Sequence, residues 1–131
     1  MKISKIEHVA IIVKDMDKAI DFYQEVFDFF LRARGDTAKR ELAFLRHSNN
    51  DDVEIELIRD LEPQDGQYSG SGIVNHLAFT VENLEDAVNY YKDKGIKFNS
   101  EKVNVSIDGS RNIFFNGPNG ELLQLVEPVK R

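Results

Sequence analysis

The chain states one plan twice. Laid over itself at a shift of 68 positions, His8 falls on His76, Ala10 on Ala78, Val13 on Val81, Ala19 on Ala87, Tyr23 on Tyr91 and Phe30 on Phe98. Conservative matches fill the intervals, among them Ile6 with Val74, Asp15 with Asn83, Met16 with Leu84 and Ile20 with Val88. The register survives to the end: "VEIELIR" from Val53 falls on "ELLQLVE" from Glu121, so Glu56 meets Gln124 and Leu57 meets Leu125. A shift that needs no insertion over such a span points to two copies of one supersecondary unit, too few for a solenoid.

Each copy reads as βαβββ. Ile6–Val13 and Val74–Val81 are apolar, β-branched runs that predict strands. Asp15 and Asn83 follow as helix N-caps. After them Met16, Ala19, Ile20 and Tyr23, and equally Leu84, Ala87, Val88 and Tyr91, lie at i, i+3, i+4 and i+7, the spacing of one buried helical stripe. Gly95 in "KDKG" is placed to end the second helix at C′. Further strands are expected at 29–33, 41–46 and 53–59, and then at 98–103, 112–115 and 121–127. "NGPNG", Asn116 to Gly120, has the composition of a hairpin turn, with "SNNDD" from Ser48 as its counterpart.

A chain of 131 residues is long enough for one domain with a real core and too short for two ordinary ones. The expected organisation is one domain over 1–131, with a first module at about 1–62, a second at about 72–131 and the loose stretch 60–72 as linker. The net charge of −6 and the scattered basic residues argue against a nucleic-acid partner, which needs a concentrated positive face. No apolar run approaches a membrane span and no signal-peptide core precedes the first strand, so no membrane partner and a cytoplasmic location are expected. With no cysteine, disulfides, thiolate metal sites and a cysteine nucleophile are excluded.

Side chains alternate across a strand. Val9, Ile11 and Val13 then face the first helix, while His8, Ala10 and Ile12 face away. Val53, Ile55 and Leu57 face the helix, with Glu54, Glu56 and Ile58 opposite. In the second copy His76 and Gln124 take the places of His8 and Glu56. Two curved sheets so related could enclose a cleft in which two imidazoles, one carboxylate and one amide oxygen converge. That set suits Ni²⁺, Zn²⁺, Co²⁺ or Mn²⁺ with positions left open for water or substrate. Singly, each of these residues is more often a hydrogen-bonded or solvated strand residue than a ligand. It is the repetition at four equivalent positions that selects them. Glu54 shares the face of Glu56 as a supporting, catalytic or merely exposed residue. His47 has no counterpart and is expected on a surface loop.

These segments resemble the vicinal oxygen chelate superfamily, which includes glyoxalase I, methylmalonyl-CoA epimerase, fosfomycin and bleomycin resistance proteins and extradiol dioxygenases. "IEHVAIIVKDMDKAIDFYQEVFDF" is similar to its opening strand and helix, and "VEIEL", "NHLAFTVENLEDA" and "NGPNGELLQLVEP" to its later signature segments. The resemblance implies an α+β fold of two tandem βαβββ modules forming a cupped mixed sheet around a metal cleft, usually in a homodimer. It implies a divalent ion, nickel or zinc with cobalt or manganese as alternatives, held by His8, Glu56, His76 and Gln124. The implied activity is that of a metal-dependent lyase or isomerase of the glyoxalase I (lactoylglutathione lyase) type. Such an enzyme acts on a small-molecule substrate, a 2-oxoaldehyde thiol adduct, through a metal-stabilised enediolate, with Glu56 as base. Gln124 stands where glyoxalase I usually has a glutamate, so either Glu56 does all the proton transfer, or Glu54 or Glu41 helps, or the reaction differs. Ile12 and Thr80 leave uncharged the position at which bacterial glyoxalase I commonly carries an arginine for the glutathione carboxylate. The alternatives are an acyl-thioester epimerase like methylmalonyl-CoA epimerase and a metal-free binding protein of the bleomycin resistance type.

Overall fold

A computed structural model describes residues 6–62 and 74–129. The chain divides into two compact units, Met1–Ser69 and Gly70–Arg131. Both are mixed α+β, and residues 63–72 of the predicted linker lie outside the described residues.

The first half runs β1 (His8–Ile12), α1 (Met16–Phe27), β2 (Phe29–Asp36), β3 (Arg40–His47) and β4 (Asn50–Asp60). Its sheet order is β1-β4-β3-β2, with β1 parallel to β4 and the other pairs antiparallel. A parallel neighbour needs a crossover, and α1 supplies it. The helix starts where Asp15 accepts from the Lys18 amide at 3.0 Å. It ends at Asp28, a left-handed residue with φ 63°, whose amide donates to the Gln24 carbonyl. Its predicted stripe, Met16, Ala19, Ile20 and Tyr23, is buried together with Phe27. It packs on Ala43, Leu45, Ile55 and Leu57, which are likewise buried. Val53 departs from its predicted inward place and is exposed. The β3–β4 ladder jumps from His47 opposite Asn50 to Arg46 opposite Glu54, so 51–53 fall in the irregular stretch before the regular pairing.

The second half runs β5 (Leu77–Thr80), α2 (Leu84–Asp93), β6 (Asn104–Val105), β7 (Arg111–Asn116) and β8 (Leu122–Glu127). Its sheet order, β5-β8-β7-β6, with β5 parallel to β8, repeats the first. Asn83 caps α2 by accepting from the Asp86 amide at 2.9 Å. At the other end Gly95 has φ 94°, its amide donates to the Lys92 carbonyl and the Ile96 amide to that of Tyr91. This is a Schellman motif with glycine where the left-handed turn needs it.

The strand predicted at 98–103 is corrected. Phe98 makes one isolated bridge to Phe115, and the edge strand shifts to Asn104–Val105. Between them the Ser100 hydroxyl donates to the Lys102 carbonyl at 2.8 Å, a local bond of the kind that draws backbone groups from a ladder.

The two sheets are also two residues out of step at β3 and β7. Phe44 lies opposite Glu56 and Phe114 opposite Gln124. The cause is the hairpin, in which residues 47–53 separate Arg46 from Glu54 but only residues 117–121 separate Asn116 from Leu122. In this register Glu41 opposite Arg59 corresponds to Arg111 opposite Glu127, with the charges exchanged. Each pair ties the sheet to the first turn of its helix. Arg34 bridges Glu41 at 2.9 Å and Asp17 at 2.7 Å, while Arg111 bridges Glu127 at 3.0 Å and Glu85 at 2.7 Å.

Candidate metal site

His8 opens β1 beside Glu54 on β4, and the next residue of β4 on the same face is Glu56. The His8 Nε2 lies 3.6 Å from Glu56 Oε1. That is long for a hydrogen bond. It is close to the separation, about 3.0–3.4 Å, of two donors that each sit about 2.1 Å from one ion. The Glu56 side chain is 13% exposed and that of His8 40%, so the pair is held by the sheet yet reachable.

The imidazole is oriented from behind. Its Nδ1 lies 3.2 Å from Glu7 Oε1. A carboxylate can only accept, so a hydrogen on Nδ1 is satisfied by Glu7 and frees the Nε2 lone pair for an ion. The second half repeats the device. His76 stands just before β5, with Nδ1 2.8 Å from the side-chain oxygen of Asn75. Its ring meets Phe114 edge-on, with centroids 5.3 Å apart. Phe114 lies directly opposite Gln124, so the three side chains share one face of that sheet, and Gln124 is buried.

Each half therefore carries two of the four predicted donors, within its own sheet. No group of three or more His, Cys, Asp or Glu side chains able to hold a metal is present among the described residues. Two nitrogens, one carboxylate and one amide oxygen without thiolate nevertheless fit a borderline divalent ion by donor type.

Of the other carboxylates considered as bases, neither is free. Glu54 is buried and clasped by Arg32, whose Nε donates to Oε2 and whose Nη2 donates to Oε1 at 2.9 Å. These bonds hold its carboxyl below the usual range. Glu41 lies on the α1 side of the sheet and is held below that range by the hydrogen bond from Arg59, with Arg34 second. A carboxylate stabilised in its charged form is a weak proton acceptor. Glu56 has no such partner among the contacts of the described residues.

Sequence reasoning overlooked Glu7 and Asn75, although they occupy the same 68-residue spacing as the histidines they orient. It also misplaced His47, which ends β3, accepts from the Asn49 amide at 3.0 Å and packs edge-on against Phe29.

Residues 5–125 match the family described as the Glyoxalase/Bleomycin resistance protein/Dioxygenase superfamily. The uncharacterised protein YwbC of Bacillus subtilis (strain 168) is 28% identical over 125 residues, 94% of this chain and 97% of its own. A lactoylglutathione lyase of Schizosaccharomyces pombe is 32% identical over 119 residues, 75% of this chain but 39% of that enzyme. Among solved structures, a glyoxalase family protein from Enterococcus faecalis aligns with a TM-score of 0.77 at 27% identity, over 94% of this chain and 97% of that one. No helix among the described residues is long and apolar enough to cross a membrane.

Proposed function

The chain belongs to the glyoxalase/bleomycin resistance protein/dioxygenase superfamily, and on that footing we propose that it is a metal-dependent lyase or isomerase of the glyoxalase I type. His8, Glu56, His76 and Gln124 are the ligands of a divalent ion, nickel or zinc, and the substrate is a 2-oxoaldehyde thiol adduct. The observation that carries the reading is the His8–Glu56 approach of 3.6 Å, made by two residues whose counterparts in the repeat are His76 and Gln124.

The bound ion supplies Lewis acidity towards two neighbouring substrate oxygens. The remaining work falls to side chains. Glu56 takes the proton from the substrate carbon and returns it to the adjacent one, since Glu54 and Glu41 are held ionised by arginines. Glu7 and Asn75 keep each imidazole in the tautomer that offers Nε2. Gln124, a neutral amide, can bind but cannot move the proton, so the two halves contribute unequally to the chemistry.

The test combines metal analysis with turnover. Purified protein should carry stoichiometric metal that His8→Ala loses, and the loaded protein should isomerise a thiol hemithioacetal. Full metal occupancy with exchange of the α-proton of an acyl thioester, and none with hemithioacetals, would transfer the assignment to the epimerase reading. Absence of metal together with ligand binding would transfer it to the binding-protein reading.

A further inference from the structure

The face of the first sheet that carries His8 and Glu56 also carries a cationic group that neither donor uses. Across the sheet from His8 lie first Glu54 and then Arg46, on successive strands β1, β4 and β3. Arg32, on β2, reaches over the Phe44 ring at 5.1 Å to clasp Glu54. One carboxylate, Glu54, is thus shared by two guanidinium groups on this face.

Of the two, Arg46 is the less well satisfied. The other described arginines, Arg32, Arg34, Arg40, Arg59 and Arg111, each donate hydrogen bonds to carboxylates. Arg46 approaches Glu54 Oε2 only at 3.4 Å, and its Nε is buried without a hydrogen-bond partner among the described residues. Arg32 takes the two short bonds to Glu54, one to each oxygen, and Arg46 is left with the longer approach. A buried guanidinium Nε–H without an acceptor is an unusual cost to keep. Its side chain is 36% exposed, so an incoming group can reach it.

The repeat shows that the fold does not require this arrangement. At the corresponding strand pair of the second half Leu122 replaces Glu54 and Asn116 replaces Arg46, and Asn116 bonds the Gly120 carbonyl instead. That half keeps the same sheet order without the charges.

We propose that Arg46 receives an anionic group of the substrate, a carboxylate or a phosphate, while Arg32 and Glu54 fix its guanidinium. The inference rests on the metal-site reading for what the rest of the substrate does. His8 and Arg46 are two strand spacings apart, about 10 Å between backbones. That leaves room for a short carbon chain between the chelated oxygens and the charged end. The substrate class is therefore a small anionic 2-oxo or 2-hydroxycarbonyl compound or its thiol adduct, with the charge on its own tail.

Two titrations on the full chain test this. In the first, without added metal, succinate and inorganic phosphate are titrated while the Arg46 Nε–H and the Arg46 and Glu54 backbone amides are followed by NMR. A saturable shift with either anion, absent from the backbone signals of Arg46→Gln and weakened in Arg46→Lys, is expected. The anion that produces it separates carboxylate from phosphate. No shift with either overturns the inference, whatever the metal does. In the second, zinc-loaded protein is titrated calorimetrically with acetohydroxamate, a neutral two-oxygen chelator, and with succinic monohydroxamate, which adds a carboxylate. The charged chelator should bind about tenfold tighter, and Arg46→Gln should bring the ratio close to one. Equal binding of the two by the natural protein overturns the inference. Failure of both to bind sinks the metal site and leaves the first titration to decide on Arg46.

Discussion

The first half of this chain is packed more thoroughly than the second, although both follow one plan. Helix α1 buries five residues and α2 only Leu84, while the counterparts of the remaining stripe, Ala87, Val88 and Tyr91, stay half-buried. The edge strand has eight residues in the first half and two in the second. The polar face diverges as well: Glu56, Glu54 and Arg46 in one half become Gln124, Leu122 and Asn116 in the other. Sheet order and cap positions are common to both halves, and these are the features the fold itself demands. Charge on the donor face is confined to the first half, and in the proposed reading that is where chemistry is concentrated.

The sharpest way to probe this inequality is to exchange the paired donors. Glu56→Gln should lower kcat by about 10²–10⁴-fold, the usual contribution of a positioned base, with thermal stability little changed. Gln124→Glu should leave turnover within a small factor. If Gln124→Glu restored activity to the Glu56→Gln variant, the two carboxylate positions would be interchangeable and the functional inequality would dissolve. Next in size is packing. Tyr23→Ala should destabilise by about 3–5 kcal/mol, as loss of a fully buried aromatic does. Tyr91→Ala, at the matching but half-buried position, should cost clearly less. Equal losses in chemical denaturation would mean that α2 is covered in solution. Smaller again are the caps, where the halves should behave alike: Asp15→Ala and Asn83→Ala should each cost about 1 kcal/mol. A large gap between them in thermal melts would show one helix to be held by packing alone. The least effect is expected from pH. Glu41 is held below the ordinary carboxylate range, so its stabilisation is complete above the unfolded value of about 4.3 and is lost as pH falls through the lower folded value. Glu41→Gln should therefore flatten the acid limb of the stability curve below about pH 4. An unchanged slope would leave the Glu41 network without weight.

Much of this architecture was legible because period and punctuation are local. The stripe of α1, the caps at Asp15 and Asn83 and the left-handed Gly95 each follow from a few neighbouring residues. Placement of His8 and Glu56 on one face followed from alternation along each strand. The rest was hidden for physical reasons. Strand pairing at 98–103 turned on backbone bonds that no periodicity shows: the Asn99 amide reaches the Phe114 carbonyl, while the Lys102 carbonyl is taken by the Ser100 hydroxyl. The two-residue offset between β3 and β7 came from hairpin length, which a constant 68-residue spacing conceals. Glu54 could not be told from an exposed carboxylate, because Arg32 and Arg46 lie far from it in sequence or on another strand. The orientation of the histidines by Glu7 and Asn75 was in plain view, but hydrogen bonding between adjacent side chains leaves no periodic trace.

A chain that carries one blueprint in duplicate risks confusing its copies while it folds, since either long hairpin strand offers a similar apolar face to the wrong neighbour. The exchanged polarity at the helix-side ion pairs counters this. Were β3 to zip onto β8, Glu41 would meet Glu127, and were β7 to zip onto β4, Arg111 would meet Arg59, like charge opposing like at the very rung where the correct partner attracts. Sign reversal thus labels each copy as self, setting one like-charge contact against each crossed pairing.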